Sequence, residues 1–217
     1  MKSKLATLCL TLLLGTALGR AQVITTTSSV NYLATPPASI GQGDLESDTV
    51  VTLFDEHVGA VLADDLAVDI VAPGTYDSFS DLPAGPPTVA AGTWVDMYFL
   101  SADKVGVDGS MVYEGSIVFA QPILGLIVTQ TGLDASDPVG SPVVTYPTGY
   151  SARNLELGGT EWVRLSADSK QLDFKFTTFN RVDQVRVVTA TTVPEPGSIV
   201  LLLGGLGTLL GTRLRRK

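Results

Sequence analysis

Apolar residues in this chain recur at period two in short runs, and turn formers cut each run off before it reaches helical length. The runs are Val50–Phe54, Leu66–Val71, Trp94–Leu100, Gly115–Ala120, Ile123–Thr129, Trp162–Leu165, Gln171–Thr177 and Gln184–Thr189. In one of them Leu172, Phe174 and Phe176 point one way, while Gln171, Asp173 and Lys175 point the other. Val185, Val187 and Thr189 alternate with Gln184, Arg186 and Val188 in the same manner. This spacing predicts sheets with one buried and one solvated face. Pro73-Gly74, Asp108-Gly109, Asp137-Pro138, Pro147-Thr148-Gly149 and Gly158-Gly159 supply the reversals between strands. Only Leu133 to Val139 reads as a single helical turn. The pattern predicts an all-β fold, a two-sheet antiparallel β-sandwich of jelly-roll-like form.

The two ends follow different rules. Lys2 and Lys4 precede an apolar stretch from Leu5 to Leu18, and Gly19 and Ala21 are small residues at the −3 and −1 positions of a cleavage site. Residues 1–21 therefore read as a signal peptide that is helical in the membrane and cut after Ala21 by signal peptidase, following export through the Sec machinery. At the other end Pro194, Glu195 and Pro196 hold the backbone extended ahead of an apolar run from Ser198 to Thr212. A helix over that run is about 22 Å long, short of a bilayer core of about 30 Å. Arg213, Arg215, Arg216 and Lys217 follow it and stay cytoplasmic by the positive-inside rule. The expected transmembrane helix thus suits a transient stop in the inner membrane better than a lasting anchor.

Triplet, span and basic end, in that order, resemble the PEP-CTERM sorting signal of Gram-negative bacteria. The resemblance implies a protein that is exported, held briefly in the inner membrane and cut near the triplet by an exosortase. Its destination would be the cell surface or the extracellular space. Ala63-Asp64-Asp65-Leu66, Pro73-Gly74-Thr75-Tyr76, Ser116-Ile117-Val118-Phe119 and Leu133-Asp134-Ala135-Ser136-Asp137 also look like segments of exported bacterial β-sandwich domains that precede such tails. The chain then divides into the signal peptide, an extended lead-in over 22–43, a β-sandwich over 44–192 and the sorting signal over 193–217.

Charge narrows the partners. Residues 22–195 hold 7 basic and 22 acidic residues, a net charge of −15, against −8 for the whole chain. Such a body is repelled by nucleic acid and by anionic membrane, so its partners are cations or neutral polar surfaces such as polysaccharide. The only cysteine, Cys9, lies in the signal segment, and His57 is the only histidine. Disulfides, thiol chemistry and zinc sites built on Cys or His clusters are thereby excluded from the body.

Candidate calcium ligands are then carboxylates. Asp44, Glu46 and Asp48 alternate ahead of Asp55 with part of the spacing of a calcium loop, although Thr49 stands at the glycine position. Asp64, Asp65, Asp103 and Asp108 are further loop ligands on the same argument. For sugar, the platforms are Tyr146 and Tyr150, which flank the Pro147-Thr148-Gly149 turn, and Trp94 at the head of a strand. No nucleophile elbow is present and no carboxylate pair is singled out by spacing, so no catalytic residue is assigned. The expected function is that of a non-enzymatic exported body, associated with exopolysaccharide or biofilm matrix and needing no cofactor. A carbohydrate- or calcium-binding module is the second reading, and a glycan hydrolase the third.

Overall fold

The computed structural model describes residues 23–191. The signal peptide, its cleavage site at Ala21 and the sorting signal lie outside the described residues. Among those described, no helix is long and apolar enough to cross a membrane.

The described residues are mostly β-strand, consistent with an all-β body, and the strands form two five-stranded sheets. One sheet runs in the order β1 (Val23–Thr26), β8 (Met111–Phe119), β11 (Gln171–Thr178), β10 (Trp162–Leu165), β5 (Gly74–Tyr76). The other runs β2 (Val30–Leu33), β3 (Val51–Val61), β7 (Trp94–Asp103), β12 (Val182–Ala190), β9 (Ile123–Ile127). A small ribbon pairs β4 (Leu66–Ala67) with β6 (Thr88–Val89). Ile117, Leu172, Phe174 and Phe176 of the first sheet share one buried cluster with Leu53, Tyr98, Leu100, Val185 and Val187 of the second. The Phe174 and Phe176 rings stack with centroids 4.7 Å apart. This inter-sheet layer is what the alternating runs bury, and it contributes most of the hydrophobic stabilisation.

The second sheet is buried on both faces: Val185 and Val187 face the inter-sheet layer, and on the opposite side Gln184 and Arg186 are also inaccessible to solvent. The cover is the segment after β9, comprising α1 (Gln130–Ser136), a 3-10 turn at Asp137–Val139 and the loop to Leu157, together with the β4/β6 ribbon. It seals a second apolar cluster that includes Ile40, Phe54, Phe99, Leu133 and Val188. Alternation shows that a strand has two different faces, but not whether a distant segment returns to cover the polar one.

Among the paired strands of the described residues the antiparallel rule is broken once, where β2 runs parallel to β3 with Val30 opposite Val51. Residues 34–50 carry the chain back to the starting end of β2, and the Val51 amide donates to the Ser29 carbonyl at 2.9 Å. The lead-in is not separate from the sheets, since β1 edges one and β2 edges the other.

The strand expected over Leu66–Val71 stops at Ala67, with Ile70 keeping only an isolated bridge to Leu126. Asp69 is occupied elsewhere. Its carboxylate accepts the Val128 and Thr129 amides at 2.7 and 2.8 Å, and it steadies Thr129, whose side chain caps α1 at the Gly132 amide. The turn expected at Leu133 to Val139 is thus a seven-residue helix, Gln130–Ser136, followed by a 3-10 turn.

Candidate functional site

The sequence-derived calcium ligands do not converge. Asp44 turns back on its own loop, accepting from Ser39 Oγ at 2.5 Å and the Gly41 amide at 2.7 Å. Asp103 is buried and cradles the same loop, accepting the Gly43 and Leu45 amides. Glu46 and Asp48 each accept one amide from the loop at 105–106. Asp55 holds the Tyr32 hydroxyl through both carboxylate oxygens, so it does not complete a calcium loop. Asp65 accepts the Ala91 amide at 2.8 Å, and Asp64 and Asp108 are exposed. These acids serve as loop fasteners, because a carboxylate close to unpaired amides finds its partners locally.

The sugar platforms are similarly dispersed. Tyr146 is drawn inward: its hydroxyl donates to Glu56 Oε1 at 2.5 Å and accepts the Ser141 amide at 2.8 Å. Burial, and then the Glu56 charge, push its phenol well above the ordinary value. Tyr150 donates to Gln42, and Trp94 stands half-exposed at the head of β7. The three do not form one aromatic face.

Tyr146 belongs to a buried ionic network that the sequence reading missed. Arg186 on β12 grips Glu56 of β3 with two bonds, Nε to Oε2 at 2.7 Å and a terminal nitrogen to Oε1 at 2.9 Å. It also reaches Asp137 at 3.3 Å and the Ser136 hydroxyl. Arg153 holds Asp137 at 2.6 Å, Asp134 at 3.1 Å and Gln184 at 2.8 Å. The Arg186 guanidinium lies 5.0 Å from the Phe99 ring centre and 5.2 Å from that of Tyr146. Burial by itself presses against the Arg186 charge, but Glu56 and Asp137 more than offset it, so the group stays a cation. Each charged group here has a partner of opposite sign inside the protein. The network therefore fixes the cover segment on the sheet.

A second cluster has the opposite character. Glu156, Glu161 and Asp183 each place a carboxylate oxygen within 4.8 Å of the others. Gly158 and Gly159 reverse the chain between the two glutamates, and Leu157 bridges back to Glu161. Glu161 is then pinned at the start of β10: Oε2 accepts the Glu156 amide at 2.6 Å and Oε1 the Thr177 amide at 2.7 Å. Asp183 enters from β12, just after the turn that joins it to β11. Glu161 and Asp183 are each only 2% exposed, whereas Glu156 is at the surface.

Among the described residues, no lysine or arginine forms an ion pair with any of the three. Asp183 Oδ2 is buried and receives no hydrogen bond. Burial and the charges of Glu161 and Glu156 push the Asp183 carboxyl far above the usual carboxylate range. Burial likewise raises Glu161, against the lowering effect of the two amides. Two full negative charges at about 5 Å repel by about 3 kcal/mol even at an effective dielectric of about 20. The arrangement holds either a retained proton or a cation. It opens to solvent through a cleft of about 660 Å³ lined by Glu156, Thr160, Glu161, Thr177, Phe179 and Arg181. The one sequence signal for it was the Gly158-Gly159 turn between two glutamates, and nothing nearby pointed to Asp183.

Comparison with known proteins addresses the other functional region, the C-terminus. A family model described as the PEP-CTERM protein-sorting motif matches residues 192–217. The chain thus carries the mark of an exported protein that is sorted through transient membrane anchoring and processed by an exosortase. No curated protein and no solved structure matches this chain.

Proposed function

We propose that this is an exosortase-processed protein of the cell surface or extracellular matrix, whose β-sandwich body is non-catalytic and works among exopolysaccharide. The observation that carries the reading is the sorting motif at 192–217. The body's charge supports it: 22 acidic against 7 basic residues over 22–195 disfavour polyanions and leave neutral glycan or cations as partners. The signal peptide, with Sec export and cleavage after Ala21, belongs to the same reading.

The test is to follow a tagged chain in a host with and without its exosortase. With the enzyme, a shortened product reaches the surface or medium and co-fractionates with matrix polysaccharide. Without it, or with Pro194, Glu195 and Pro196 all replaced by alanine, the precursor stays in the inner membrane. An intact chain recovered from the cytosol with Lys217 attached, regardless of the exosortase, would overturn the reading.

A further inference from the structure

We propose that Glu156, Glu161 and Asp183 form a binding site for a divalent cation of the calcium class, at the end of the fold where β11 turns into β12. Their oxygens lie within 4.8 Å of one another. Three oxygens surround one ion at the calcium–oxygen distance of about 2.3–2.6 Å when they lie up to about 4.0–4.5 Å apart, so side-chain movement of a few tenths of an ångström closes the trio on an ion. Asp183 supplies the independent argument. It is 98% inaccessible, its Oδ2 has no hydrogen-bond partner, and its carboxyl lies against those of Glu161 and Glu156, with only a proton shared with Glu161 or a cation to join them. Buried polar atoms are almost always paired, and of the two partners that fit here, a retained proton and a cation, only the cation also engages Glu156 at the cleft.

The donor set is all oxygen, as a hard cation requires, with neither sulfur nor imidazole in it. Glu161 is already oriented by its two amide bonds, so binding orders little that is not ordered beforehand. Glu156 and Glu161 line the open cleft, through which water can reach the remaining coordination positions. Calcium is favoured over magnesium because it accepts irregular oxygen sets at about 2.3–2.6 Å, whereas magnesium demands a near-ideal octahedron at about 2.0–2.1 Å, too tight for oxygens this widely spaced. In the extracellular setting proposed above, an affinity of about 10⁻⁴–10⁻³ M, typical of extracellular calcium modules, is the expected range. The site does not depend on exosortase processing, so either proposal can fail alone.

The experiment uses the full chain in detergent, stripped with a chelator, and titrates calcium chloride alone against magnesium chloride. At about 10 mM calcium the melting temperature should rise by roughly 3–10 °C, and calorimetry should show one site. The variants D183N and E161Q should lose the shift and bind at least about tenfold more weakly, while E156Q, at the surface, should bind more weakly and keep its fold. In chelator D183N should be at least as stable as the parent, which separates loss of the site from loss of folding. The proposal is overturned if the parent shows no calcium-dependent shift or heat, if folded D183N responds like the parent, or if magnesium matches calcium.

Discussion

Arg186 shows what one buried side chain does in this protein. It sits on the face of β12 that alternation assigns to solvent, yet it is fully enclosed and bonded to Glu56, Asp137 and Ser136. Removing one member of such a network strands the other charge in the interior. Arg186→Ala should therefore cost about 3–5 kcal/mol in chemical denaturation, while replacing Arg186 and Glu56 together with methionine and leucine should cost much less than the sum of the two single changes. Asp134 sits at the rim of the same network. Burial pushes its pKa up, but bonds from Gln130, Gly149 and Arg153 outweigh that and leave it below the ordinary value of 3.8. A lowered carboxylate contributes stability that is present above its unfolded value and is lost as pH falls through the folded one. The stability gap between the parent and Asp134→Asn should accordingly shrink between about pH 5 and about pH 2, as read by urea unfolding.

At the level of elements, the cover segment is the feature that gives the second sheet its double burial. Thr129 and Asp69 start α1, Leu133 plugs the apolar cluster, and Tyr146 returns to Glu56. Gly140 marks the tightest approach. A Cβ there would meet the Tyr146 ring carbon bearing the hydroxyl at 2.7 Å and Glu56 Oε1 at 2.9 Å. Gly140→Ala should thus destabilise by about 1–3 kcal/mol through overpacking, visible as a lower urea midpoint at unchanged slope. If Gly140→Ala left the midpoint where it was, the contact between cover and sheet would be looser than described. Much of β7, β8, β10, β11 and β12 was readable in advance, because alternation marks β11 and β12 and apolar runs bounded by turns mark the others. The parallel β2, the short β4 and α1 were not, since each is set by a partner far away in the chain: β3 for β2, β6 for β4, and Asp69 for α1.

For the whole molecule the relevant quantity is charge. With 22 acidic residues against 7 basic over 22–195, self-repulsion works against the compact state at neutral pH. Raising sodium chloride from about 0.02 to about 0.5 M should lift the melting temperature, with no such rise near pH 4 where carboxylates are partly neutralised. Calcium acting through the acidic trio should exceed this general effect at far lower concentration.

What the amino-acid sequence determined alone is what depends on neighbouring residues: alternation and turns for the strands, and for the C-terminus the triplet, short apolar run and basic end that define a sorting motif. What only the tertiary structure decided is which carboxylates meet. Asp44, Glu46 and Asp48 are close in sequence and disperse onto separate amides, whereas Glu161 and Asp183 are far apart and converge. Charged groups interact through a few ångströms of space, and in a fold made of long-range strand pairings those distances are set by sheet order, which no local pattern encodes.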